Sequence, residues 1–127
     1  MAAMIYLDTH VVVWLYVART DLLSERAKDL IKKNDLSISP IVLLEMEYLR
    51  EVGRLSVGGT TIQEELHERI GLRVCDLPFP RVVQFSLKQL WTRDPFDRVI
   101  VGHAAASGKG LLTRDDTIRA NYPNALW

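Results

Sequence analysis

Apolar residues along the chain fall into two alternating kinds of run. Short uninterrupted stretches at Met4–Leu7, Leu36–Ser39, Arg73–Asp76 and Gly110–Thr113 read as buried strands, with a shorter candidate at Ala125–Trp127. Between them, apolar positions recur at helical spacing. "THVVVWL" follows the first strand directly. Ser24 opens "SERAKDLIKKN", whose Ala27, Leu30 and Ile31 share one face. Ser39 and Pro40 supply an N-cap and a first-position proline for "IVLLEMEYLREVG", which closes on Gly53. "TIQEELHERIG" ends on Gly71. "RVVQFSLKQLW" and "PFDRVIVGHAAASG" follow, the latter closed by Gly108. Strands separated by helices predict an α/β fold over residues 1–127: a single three-layer domain with a central parallel sheet of four or five strands. In such sheets ligands sit at the carboxyl ends of the strands, and the helix N-termini share that edge.

Composition narrows the class. With 127 residues, 48% hydrophobic and 25% charged, the chain can bury about two-thirds of its unfolded surface as one globular unit. No apolar run reaches the roughly 18 residues of a membrane span, and "MAAMIYLDTH" lacks the basic region and cleavage site of a signal peptide. The one cysteine, Cys75, has no intramolecular partner and reads as a small buried hydrophobe. A cytoplasmic location with no membrane association is therefore expected. Sixteen basic and sixteen acidic residues cancel, which argues against nucleic-acid binding by bulk charge. A local basic patch and an acidic pocket that needs a cation both remain open.

The acids favour the pocket. Asp8 directly follows the first strand, and Asp115 stands just past the "GLLT" strand. Asp97 lies in the first turn of the helix leading into that strand, and Glu45 little more than one turn past Pro40. All four are thus predicted at one edge of one sheet. Glu45 is flanked at helical spacing by Ile41, Val42, Tyr48 and Leu49, an apolar stripe on which an unpaired carboxylate is costly. Each of the others also has a plain capping role: Asp8 before "THVVVWL", Asp94 and then Asp97 in "DPFD", and Asp115 or Asp116 in "LLTRDDTIR". Capping alone would have to recur at the same edge. Converging carboxylates repel one another, and a hard divalent cation such as Mg2+ resolves that repulsion and suits phosphodiester hydrolysis.

"YLDTHVVVWL", "SPIVLLEMEYLREVGRL", "RDPFDRVIVGHA" and "LLTRDDTIRANY" resemble, in order, the motif regions of PIN-domain ribonucleases, and most closely VapC-type toxins of bacterial toxin–antitoxin pairs. The resemblance runs from about Met4 to Trp127. It implies a metal-dependent endoribonuclease whose catalytic and metal-holding acids are Asp8, Glu45, Asp97 and Asp115, with Mg2+ or Mn2+ as cofactor. Thr113 matches the hydroxyl that supports the last acid, Asp94 matches a supporting cap, and Asp116 is a further supporting candidate. The resemblance also implies an RNA substrate, a homodimer and a cognate antitoxin whose peptide fills a groove; Trp14, Leu15, Leu43 and Leu49 are candidates to line it. Arg93, Arg98, Arg114 and Arg119 cluster near the acidic motifs, and Arg98 and Arg114 are the foremost candidates to meet RNA phosphates.

Other chemistries fit less well. His10, His67, His103 and Cys75 lack the short ligand spacing of a zinc site, although His10 stands beside Asp8 within reach of a substrate. No nucleophile elbow or phosphate-binding glycine loop is present. A receiver-like phosphoacceptor domain would want paired acids at the first strand, where Asp8 is followed by Thr9 and His10. A non-catalytic PIN-like module that binds RNA or a partner is the remaining alternative, and the intact acidic set argues against it.

Overall fold

A computed structural model describes residues 3–127; Met1 and Ala2, part of the stretch read for a leader, lie outside the described residues. Five parallel strands form the sheet: β1 (Met4–Leu7), β2 (Asp35–Ile38), β3 (Arg73–Val74), β4 (Gly110–Leu112) and β5 (Ala125–Leu126), in the order β3-β2-β1-β4-β5. Among the described residues seven helices flank it: α1 (Thr9–Tyr16), α2 (Glu25–Lys33), α3 (Pro40–Glu51), α4 (Gly59–Ile70), α5 (Phe79–Ser86), α6 (Pro95–Ser107) and α7 (Asp116–Asn121). A 3-10 turn at Thr20–Leu22 links α1 to α2. This is the expected α/β architecture, and no helix among the described residues is long and apolar enough to cross a membrane.

The sheet forms where the apolar runs are unbroken. Ile5 pairs with Leu36 on one side and Gly110 on the other, and Leu7 pairs with Leu112. Leu7, Ile38, Leu111 and Leu112 are fully buried. The later strands end one or two residues earlier than the sequence suggests, as Ser39 and Thr113 show. Ser39 leaves β2 to cap α3, and Thr113 leaves β4 to hydrogen-bond at the sheet edge. Helix ends follow the caps: Ser24 accepts from the Ala27 amide, Ser39 from that of Ile41, and Gly71 and Gly108 close α4 and α6 at φ of 73° and 65°.

Two expectations need correction. The helix read from "RVVQFSLKQLW" begins earlier, at Phe79, and stops at Ser86, leaving Leu87 and Leu90 63% and 81% exposed. Its last carbonyls, of Ser86 and Leu87, accept from the Arg98 guanidinium on α6 at 3.2 and 3.3 Å, so the helix ends on a tertiary cap. On α3, Val42 and Met46 form the buried stripe while Tyr48 is 51% exposed, so Glu45 lies at the margin of the apolar face.

Candidate active site

β1 carries Asp8 to the carboxyl edge of the sheet, where it is only 4% exposed. Its amide donates to the Leu112 carbonyl at 3.0 Å, Oδ1 accepts from the Thr9 amide at 2.8 Å as the N-cap of α1, and Oδ2 accepts from the Thr113 hydroxyl at 2.7 Å. Thr113, fully buried, accepts in turn from the Asp115 amide at 3.0 Å. One hydroxyl therefore ties the ends of β1 and β4 together. Asp115 caps α7, with Oδ1 accepting from the Ile118 amide at 2.9 Å. Each cap engages a single carboxylate oxygen, so capping and a role at the site are compatible.

Glu45 and Asp97 approach from the flanking helices. Glu45 is half-buried and its Oε1 accepts from the Thr9 hydroxyl. Burial raises its carboxyl above the usual range; the Thr9 hydrogen bond opposes that shift, and the charges of Asp8 and Asp94 add to it. Asp97 is the third residue of α6, after the Asp94 cap, whose Oδ1 accepts from the amides of Phe96 and Asp97 at 2.8 and 3.2 Å. Burial, and then the charges of Asp8, Asp94, Asp115 and Glu45, push the Asp97 carboxyl up to about 7. The four acids expected at one edge thus act on one another there, beside helix N-termini whose partial positive charge offsets some of the repulsion.

The donor set suits a hard cation in kind, being all oxygen and rich in negative charge. Among the described residues no three acidic, histidine or cysteine side chains converge tightly enough to hold one ion between them. A cation held by one or two carboxylates and several waters would not need such a cluster.

Two neighbours complete the site. Thr9, whose only signal in the sequence is its place directly after Asp8, holds Glu45. The His10 Nε2 accepts from the Arg114 amide at 3.0 Å, which leaves the ring proton on Nδ1, 3.5 Å from Asp8 Oδ2. Burial holds this imidazole below its ordinary pKa against the opposing pull of Asp8 and Asp115. Other candidates lie further out. The Asp116 side chain is 99% exposed and pairs with Arg119 at 3.6 Å. Arg98 is engaged at the end of α5, whereas the exposed Arg114 points its guanidinium over Trp14, 6.0 Å from the ring centroid. Trp14, Leu15, Leu43 and Leu49 are each half-buried.

Two clefts of about 490 and 550 Å³ open along β3 and α4, and none of the four acids lines either. His67, at both, is tied to the Leu72 carbonyl at 3.0 Å.

A family model described as "PIN domain" matches residues 5–122. No curated protein matches the chain. Among solved structures it is similar to DNA-bound VapBC from Salmonella typhimurium, with 19% identity over 98% of this chain and 96% of that one and a TM-score of 0.64. It is also similar to VapBC2 from Rickettsia felis bound to a DNA fragment from their promoter, with 22% identity, 97% and 96% coverage and a TM-score of 0.63. A toxin–antitoxin complex from Klebsiella pneumoniae matches at 17% identity, 99% and 97% coverage and a TM-score of 0.61. At these identities the likeness is one of fold.

Proposed function

Because this chain belongs to the PIN domain family, we propose that it is a metal-dependent endoribonuclease, the toxin of a toxin–antitoxin pair that inhibits translation and growth from the cytoplasm. The observation that carries the reading is the PIN-domain match over residues 5–122; beside it, burial and four neighbouring carboxylates push Asp97 up to about 7. Such crowding is unfavourable in a site that binds nothing positive. Asp8, Glu45, Asp97 and Asp115 would hold Mg2+ or Mn2+, directly or through water. The cation, when bound, neutralises charge on the phosphoryl oxygens and makes water more acidic.

The chain's own residues position this set. Thr113 and the Thr9 amide fix Asp8, the Thr9 hydroxyl fixes Glu45, and Asp94 holds the first turn of α6 under Asp97. Arg114 meets an RNA phosphate at the exposed rim. Attack by water in line with the leaving group yields a 5′-phosphate and a 3′-hydroxyl. The protein partners are a cognate antitoxin and a second copy of the chain. Exposed apolar residues support both: Leu44, Tyr48 and Val52 recur at helical spacing from α3 onward, and Phe79, Leu87 and Leu90 lie around α5. Toxin–antitoxin complexes among the fold neighbours favour the same reading.

The test is cleavage of total cellular RNA by purified, antitoxin-free protein with Mg2+, Mn2+ or EDTA, beside Asp8→Asn. Discrete metal-dependent cuts that vanish in the variant are expected. Fragments ending in a 2′,3′-cyclic phosphate would contradict the mechanism, since that product requires attack by the RNA's own 2′-hydroxyl. RNA bound but left uncut under either metal would instead favour a non-catalytic module.

A further inference from the structure

The inner face of α1 buries Thr9, Val11 and Val12, while His10, Trp14 and, just past the helix end, Val17 follow one another along its outer side. Trp14 is half-buried and packs against the core. Its ring lies 4.9 Å from that of His10 and 6.1 Å from that of Trp127, tilted by 56° and 59°. His10 in turn faces Asp8 at 3.5 Å and accepts from the Arg114 amide. A continuous strip therefore runs from the Asp8 carboxylate through an imidazole to two indoles, with an exposed guanidinium held over it. Ordinary core packing explains the contact between the indoles. It does not explain a cation 6.0 Å from the ring of one of them, on a backbone amide that donates to His10 beside Asp8.

Resting on the ribonuclease reading above, we infer that Trp14, flanked by Trp127 and overhung by Arg114, is a stacking site for one unpaired base beside the bond that is cut. Single-stranded nucleic acid is held by this pairing of chemistries: a flat aromatic face for the base and a cation for the backbone or for the far side of the base. The spacing suits it. Arg114 stands 6.0 Å from the Trp14 centroid, and a flat base needs about 3.5 Å of contact distance on each side, so a small movement of an exposed side chain admits it. The site selects for an unpaired nucleotide next to the scissile phosphate, because a base held in a duplex cannot reach the indole.

The experiment uses a short single-stranded RNA containing a cut site of the parent protein, and the same RNA with a single base removed at each position around the cut. Trp14→Leu, which keeps apolar bulk without a stacking face, is expected to lower kcat/KM by about tenfold. Removing one particular base beside the cut should lower parent cleavage by a similar factor yet have no further effect on Trp14→Leu. A merely structural tryptophan would not produce that non-additivity. Should the leucine variant fail to fold, Trp14→Phe is compared in its place, and the effect of base removal should shrink with the smaller ring. If every base removal acts equally on parent and variant, the stacking site is overturned while the nuclease reading stands. If Trp14→Leu instead loses co-purification with the antitoxin while base removal stays additive, the ring serves a peptide and the inference is again overturned. A parent that cuts no RNA with either metal overturns the reading on which it rests.

Discussion

The Thr113 hydroxyl is fully buried, donates to Asp8 and accepts from the Asp115 amide. Thr113→Val keeps its shape and removes both bonds. Loss of a group that orients metal-holding side chains typically costs 10- to 100-fold in metal affinity or activity, and the stranded Asp115 amide costs about 1–3 kcal/mol of stability. Thr113→Ser should restore most of both; a valine variant with parent activity across a Mn2+ titration would remove Thr113 from the site. Asp97 gives a prediction with a definite sign. Its carboxyl, raised to about 7, holds a proton more tightly in the folded than in the unfolded chain, so its contribution to stability falls as pH rises from about 4 to about 7. In EDTA, Asp97→Asn should therefore melt above the parent at pH 8 and close to it near pH 4. Mn2+ at pH 8 should raise the parent's Tm more than the variant's. A parent and variant that melt alike at pH 8 in EDTA would count against the crowded acid set.

Among the elements, α5 and α6 depend most on close packing. A methyl group on Gly102 would lie 2.1 Å from Ser86 Oγ and 2.8 Å from the Ser86 amide nitrogen. Gly102→Ala must push the helices apart, with an expected loss of about 1–3 kcal/mol in urea unfolding. Because α6 also carries Asp97, metal binding should weaken with it; an alanine variant of parent stability would show that the helices can shift freely. The strands and most helix starts were legible in the sequence, since buried parallel strands leave apolar runs and Ser39–Pro40 or Asp94–Pro95 leave capping signatures. The end of α5 was not. "SLKQLW" keeps helical spacing, yet it turns at Ser86, where Arg98 of α6 donates to the Ser86 and Leu87 carbonyls, a contact that local pattern cannot reveal. Tyr48 misled for a similar reason: its spacing matched an apolar stripe whose width only packing decides. At the site the acids were visible as residues at strand ends, whereas Thr9 and the orientation of His10 depend on which chain segments meet.

For the whole molecule, His103 ties stability to acidity. It is 2% exposed, neither ring nitrogen has a partner among the described residues, and it lies 5.6 Å from the Tyr6 ring. Burial lowers its pKa, so as pH falls through about 6.5 the unfolded chain takes a proton that the native chain resists, and stability is lost below that point. His103→Leu should flatten this loss between pH 7 and 5 in urea unfolding, with little change at pH 7, because an apolar side chain replaces two unpartnered nitrogens. Equal pH slopes in both proteins would contradict it.

The strand order has a consequence in time. β1 lies between β2 and β4, and the bond from Thr113 to Asp8 joins residues 105 positions apart. Pairings so distant in sequence form late and slowly. A growing chain holds Asp8 and Glu45 well before β4, the strand that completes their surroundings, is made. A chain that stops between Glu45 and Asp97 would carry half of the four acids and lack the Thr113 hydroxyl that fixes Asp8, so this edge assembles only after β4 has been made.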